Sequence, residues 1–145
     1  MEHLQTDAIL LNQQFNTKKE AIEATGQALL ERGFIQSDYI TTMHERDQLT
    51  STFIGNMVAI PHGTDGSQQF INESGLVVLQ VPSGVSFDGN EVKLLIGIAG
   101  ADGQHLELLS KIAIVCSEIT NVETMVNATS QAEIIALFEG VEENV

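Results

Sequence analysis

The chain has 145 residues, enough for one domain that buries its own core without disulfide or metal staples. Against 20 Asp and Glu it carries only 6 Lys and Arg, a net charge of −14. That charge argues against nucleic acid and anionic membrane surfaces as partners and for a partner presenting basic residues.

No repeat, linker or low-complexity tract divides the sequence, so residues 1–145 read as a single domain. The N-terminal MEHLQTDAILLNQQ is acidic and polar where a signal peptide needs a basic and then an apolar segment. Val92 to Ala99 and Leu106 to Cys116 are apolar but far shorter than the roughly 20 residues of a membrane span. A cytoplasmic chain with no direct membrane insertion is expected. The lone cysteine, Cys116, excludes a disulfide framework or a cysteine-cluster metal site.

Ala8 to Leu11 reads as a first strand. Thr17-Lys18-Lys19-Glu20 forms a capping box, followed by Ile22, Thr25, Ala28/Leu29 and Arg32 at helical spacing and by Gly33 as C-cap. Ser37 is placed to cap a second helix, Asp38 to about Gln48. Met57 to Ile60, Leu76 to Val81 and Val92 to Ala99 are short β-branched runs between turn residues and read as strands, with Gly84 to Phe87 as a further edge strand. Helical spacing returns from Gln104 to Cys116, where two adjoining apolar stripes (Leu106, Leu109, Ala113, Cys116 and Leu108, Ile112, Val115) predict deep burial. Asn121 is placed to cap a short helix through Ala128. Ser130 to Glu133 is a second capping box, starting a terminal helix that ends near Gly140. The fold class is α/β with α+β-like character: a single domain with a mixed β-sheet of about five strands covered by helices on both faces.

Nucleotide motifs are missing. There is no GxxxxGK[ST] loop, and Gly97, Gly100 and Gly103 are not spaced as GxGxxG. No HExxH occurs, and Asp88-Gly89-Asn90-Glu91 lacks calcium-loop spacing. The histidines carry more information. His3 belongs to a frayed terminus, and His44, beside Glu45 and Arg46, reads as a surface residue. His62 follows a strand and is held between Pro61 and Gly63, where proline fixes the chain and glycine permits close approach. His105 opens the long helix, where free N–H groups and a partial positive charge suit an anion. Arg46 is one of few cations, and its bland role is a surface ion pair with Glu45 or Asp47. Cys116 sits on an apolar stripe and reads as core.

Leu49 to Thr64, LTSTFIGNMVAIPHGT, resembles the phosphorylation segment of the fructose/mannitol family of enzyme IIA domains of the bacterial phosphoenolpyruvate:sugar phosphotransferase system. Val92 to Ala113, VKLLIGIAGADGQHLELLSKIA, resembles the block carrying the family's second histidine, here His105, and Arg46 also matches a family position. IPHGT followed by LIGIAG is most like the mannitol branch. Asn56 is a departure, since related sequences often carry an acidic residue there. The resemblance implies that His62, attacking through Nε2, takes a phosphoryl group from the phosphohistidine of HPr. It then passes the group to a cysteine on the IIB domain of a sugar permease. It also implies that no cofactor or metal is needed, because the donor P–N bond is already activated. His105 and Arg46 would stabilise the phosphoryl oxygens, with Thr64 and backbone N–H groups assisting. Nδ1 of His62 would then need an acceptor, which sequence alone does not name. Two other functions compete: a regulatory IIA-like module whose phosphorylation state a partner reads, and a metal-dependent hydrolase using His44, His62 and His105 with carboxylates, for which no ligand spacing is present.

Overall fold

The computed structural model describes residues 4–101 and 103–143. The chain runs β1 (Ile9–Leu10), α1 (Lys18–Glu31), α2 (Asp38–Leu49), β2 (Phe53–Gly55), β3 (Val58–Ala59), β4 (Gly75–Phe87), β5 (Asn90–Ala99), α3 (Gln104–Cys116), α4 (Ile119–Val126) and α5 (Gln131–Glu143). The five strands form one mixed sheet in the order β1-β4-β5-β3-β2. β1 runs parallel to β4 and β3 parallel to β5, while the β4–β5 and β2–β3 pairs are antiparallel.

Side-chain alternation along the central strands shows how both faces are covered. Gly97 of β5 lies against Thr25 of α1 and beside its cross-strand partner Val77, so this face of the sheet receives α1. Gln80, three residues beyond Val77 on β4, points the other way. Its amide donates to the carbonyls of Met125 and Ala128 at 2.8 and 3.0 Å, and its Oε1 accepts the Asn12 N–H at 3.0 Å. A buried amide so fully bonded costs little to bury, and it ties β4 to the α4 end and the chain leaving β1. α2 packs on α1, and α3 and α5 pack together on the α4 side. The core between the layers includes Ile22, Leu29, Val77, Leu79, Leu95, Ile98, Ile112, Val122 and Phe138, each at most 2% exposed.

The Thr17 cap forms as its sequence requires, with Thr17 Oγ1 accepting the Glu20 N–H at 3.2 Å; Glu20 reaches back one residue further, to the Asn16 N–H at 2.9 Å. Gly33 ends α1 at φ +80°, and Phe34 N–H closes on Leu29 O at 3.1 Å. Glu133 accepts both the Thr129 and Ser130 N–H groups, at 2.8 and 3.0 Å, which is the acidic half of the second box.

Several expectations are corrected. Ser37 precedes α2 but takes an αR conformation and makes no side-chain cap. Asn121 lies inside α4, whose N-cap is Glu118, and its amide bonds Val115 O instead. Leu76 to Val81 and Gly84 to Phe87 are one strand, because the residues between Gln80 and Val85 are absorbed in a bulge against β5 rather than in a turn. β2 was not foreseen: three residues pair antiparallel with β3 through a tight link in which Asn56 and Met57 have φ of 49° and 66°. The amide of Asn56 is spent on Cys116 O at 2.8 Å, tying this hairpin to the end of α3. The Leu108, Ile112 and Val115 stripe of α3 is buried, whereas the other is buried only toward Cys116: Leu106 is 72% exposed and Ala113 is also exposed. α5 continues past Gly140 to Glu143.

Candidate functional site

β3 and β5 are parallel neighbours, so the chains leaving their C-terminal ends emerge at the same edge of the sheet, where open mixed sheets commonly bind ligands. The chain after β3 stays attached to β5 through Ile98 N–H, which donates to Pro61 O at 3.1 Å, while Ile60 N–H donates to Thr52 O, just ahead of β2, at 3.0 Å. His62 is thereby carried to the end of β5 and is 7% exposed. Its Nδ1 lies 2.6 Å from Ile60 O. A carbonyl only accepts, so Nδ1 carries the proton and donates it, and Nε2 keeps its lone pair. The acceptor that sequence could not name is a backbone carbonyl two residues upstream.

Burial pushes the His62 pKa down to about 4. The Ile60 carbonyl and Asp65 oppose the shift, while His105 and Arg46 reinforce it. At neutral pH the ring is an uncharged base with a free Nε2.

β5 ends at Ala99, and the turn through Gly100 and Gly103 starts α3, bringing His105 to the same place. The His62 and His105 rings are 5.0 Å apart between centroids and tilted by 51°. Gly100 packs directly on the backbone of His105, and a Cβ there would collide with its Cα and N. Gly103 occupies the N-cap at φ +82° and supplies no side-chain cap, so no side chain there takes up the first N–H groups of α3. The His105 pKa is also lowered, chiefly by burial, with Arg46 lowering and Asp65 raising it.

Arg46 stands in the last turn of α2 and donates through Nη1 to Thr50 O at 2.8 Å. Asp47, its expected surface partner, is buried and pairs with Lys18 at 2.7 Å instead. The charge of Arg46 disfavours protonation of both histidines. Thr64 precedes a 3₁₀ turn, Asp65–Phe70, and its hydroxyl makes no cap bond. It lines a cleft of about 370 Å³ with Gly63, Asp65, His105 and Leu106.

The remaining candidates stay elsewhere. His44 Nε2 pairs with Glu23 Oε1 at 3.0 Å, joining α2 to α1. Cys116 is buried, and burial drives its thiol up to about 12, which leaves it protonated and inert. His3 lies outside the described residues. Among the described residues no three His, Cys, Asp or Glu side chains are grouped to hold a metal, so the three-histidine centre does not assemble. No described helix is long and apolar enough to cross a membrane.

Two residues escaped the sequence reading. Asp65 is the acidic group that acts on both histidines. Tyr39, 2% exposed on α2, donates its hydroxyl proton to Ile98 O at 2.9 Å and accepts the Gly63 N–H at 2.8 Å. Gly63 is needed because a Cβ would stand 2.5 Å from Tyr39, Thr42 and Ser67 side-chain atoms. The room it provides is filled from within the chain. The only sequence signal was that Tyr39 is the single tyrosine, and among Ile40 and Met43 it looks like core.

The site thus brings together a buried neutral histidine with Nδ1 bonded and Nε2 unbonded, a second histidine whose ring centroid is 5.0 Å away, and the electrostatic influence of an arginine. Residues 2–141 match the family model described as phosphoenolpyruvate-dependent sugar phosphotransferase system, EIIA 2, and the chain belongs to that family. It is 51% identical over 142 residues to the mannitol-specific phosphotransferase enzyme IIA component of Geobacillus stearothermophilus, covering 97% of this chain and 98% of that one. The corresponding component of Bacillus subtilis is 44% identical over 142 residues, covering 97% and 99%. Among solved structures, the crystal structure of IIA mannitol from Escherichia coli superposes with a TM-score of 0.86 at 29% identity, covering 93% of this chain and 98% of that one. The complex of enzyme IIAMTL with phosphorylated enzyme IIBMTL from Escherichia coli gives 0.89 at 28% identity, covering 94% and 97%.

Proposed function

We propose that this chain, as one domain over residues 1–145, is the phosphocarrier of a mannitol-specific phosphotransferase system working in the cytoplasm. It accepts a phosphoryl group from phospho-HPr on His62 and passes it to the IIB domain of the permease. The observation that carries this is the His62 Nδ1 to Ile60 O bond at 2.6 Å in a buried, uncharged ring. It leaves Nε2 as the reacting atom. Nε2 attacks phosphorus, the new N–P bond forms as the donor's N–P bond breaks, and that electron pair returns to the donor imidazole. A thiolate on IIB then attacks in line, and the Nε2–P electron pair returns to His62.

Such a transfer needs positioning and positive partners for the equatorial oxygens more than it needs covalent machinery. Arg46 supplies a charge, His105 a ring N–H donor, Thr64 a hydroxyl at the cleft wall, and the backbone its own N–H groups. The mannitol assignment rests on the relatives named above, at 44–51% identity.

The test is a relay of phosphoenolpyruvate, enzyme I, HPr, this chain and a panel of sugar-specific IIB domains. One phosphoryl group per chain, labile in acid and stable in base, should chase onto a mannitol IIB and be lost in His62→Ala. Label that survives in His62→Ala would refute the site. Label that reaches no IIB would favour a regulatory module instead.

A further inference from the structure

We infer that Tyr39 is a positioning residue for His62: its hydroxyl holds the turn that aims Nε2. The inference rests on phosphoryl transfer at His62 as proposed above. The direction of each hydrogen bond is forced. Gly63 N–H can only donate and Ile98 O can only accept, so the phenol must receive from one and give to the other. The Gly63 N–H is thereby taken up and faces α2, which orients the peptide plane between His62 and Gly63.

The same strand residue holds the other side of the turn, because Ile98 N–H donates to Pro61 O at 3.1 Å. The imidazole itself is held by Ile60 O at 2.6 Å. His62 is therefore fixed at three places: before its backbone, after it, and at Nδ1. Only the second depends on a side chain. That side chain sits on α2, the helix that also carries Arg46 two turns further on, so one phenol sets the nucleophile's turn against the helix bearing its cation. Burial raises the Tyr39 pKa to about 12, which keeps the required proton on the phenol at any working pH. No water need enter, since Tyr39 is 2% exposed and both lone groups are already matched.

Tyr39→Phe removes one oxygen and keeps the ring that packs there. It should leave the backbone fold intact and lower kcat for phosphoryl acceptance on the order of 10- to 100-fold, the scale of loss for a reacting atom displaced by about 1 Å. The KM for phospho-HPr should stay near the wild-type value, because the docking surface is untouched. In ¹⁵N NMR of the unphosphorylated protein, the His62 Nδ1–H form should give way to a mixture of tautomers.

A variant with lower melting temperature but unchanged kcat and unchanged His62 ¹⁵N shifts would make Tyr39 merely structural and overturn the proposal. If wild-type chain takes no phosphoryl group at all, the functional reading fails, yet the tautomer measurement still decides the role of Tyr39. Should the variant not fold, the single tyrosine permits site-specific 3-fluorotyrosine labelling of the intact chain. Its ¹⁹F resonance should move on phosphorylation of His62, and a resonance that stays put overturns the coupling.

Discussion

Acidification is a direct probe of the His62 environment. An ordinary imidazole titrates at 6.5, whereas burial brings His62 to about 4. At pH 5.5 an unperturbed histidine is only about 9% neutral, while one with a pKa of about 4 remains about 97% neutral. The nucleophile should therefore survive mild acid. Stability moves the other way. Unfolded His62 binds a proton below 6.5 and folded His62 does not until about 4, so the stability this site contributes is fully present above 6.5 and is lost as pH falls toward 4. From pH 7.5 to 5 the loss amounts to about 2 kcal/mol, and to about 3 kcal/mol once the folded state also titrates. The clean assay compares urea unfolding of wild type and His62→Gln at several pH values, since the other titrating groups are common to both chains. The wild type should lose about 2 kcal/mol more than the variant between pH 7.5 and 5. Parallel stability curves, or a His62 ring titrating near 6.5 by NMR, would refute the burial argument.

His105→Ala and Arg46→Gln should each keep the fold and slow phosphoryl acceptance, on the order of 10²–10³ where one oxygen donor is lost; unchanged single-turnover rates in both directions would remove the residue from the site. A chain at −14 should associate with a basic donor face more slowly as salt rises, because screening shortens the field from about 30 Å at 0.01 M to about 8 Å at physiological ionic strength. Stopped-flow association with HPr across that range checks this, and a flat rate would assign the acidic excess to solubility alone.

The parts legible in sequence were those written in consecutive residues. Pro61-His62-Gly63 and the glycine turn before His105 announced themselves because the chain must bend there, and the Thr17 cap and the Glu133 bonds to Thr129 and Ser130 formed. Backbone partners left no such mark. Ile60 O could not be read as the acceptor for Nδ1 because every residue has a carbonyl, and only the fold of this turn selects one. Tyr39 was hidden by its own apolar neighbours on α2. β2 has three residues, too few for alternation to register, and its link to β3 places Met57 at positive φ, which residue type does not foretell. Pro82 and Gly84 do mark a break, but the pairing of Val85 with Val92 resumes on the same strand, so the break became a bulge. On α3, composition could not say which of two apolar stripes the sheet would take. The exposed start of the other stripe puts Leu106, 72% exposed, on the cleft wall beside His105, where a docking partner would meet it. Asp65 lines the same cleft, so its wall is not apolar alone.

The central claim is that Nε2 of His62 is the atom that carries the phosphoryl group. Heteronuclear ³¹P–¹⁵N NMR of the chain phosphorylated through enzyme I and HPr tests it most directly. The account predicts a single phosphohistidine bonded at Nε2, with Nδ1 still protonated toward Ile60 O. Phosphorus bonded to Nδ1 of His62, or to either nitrogen of His105, would contradict it.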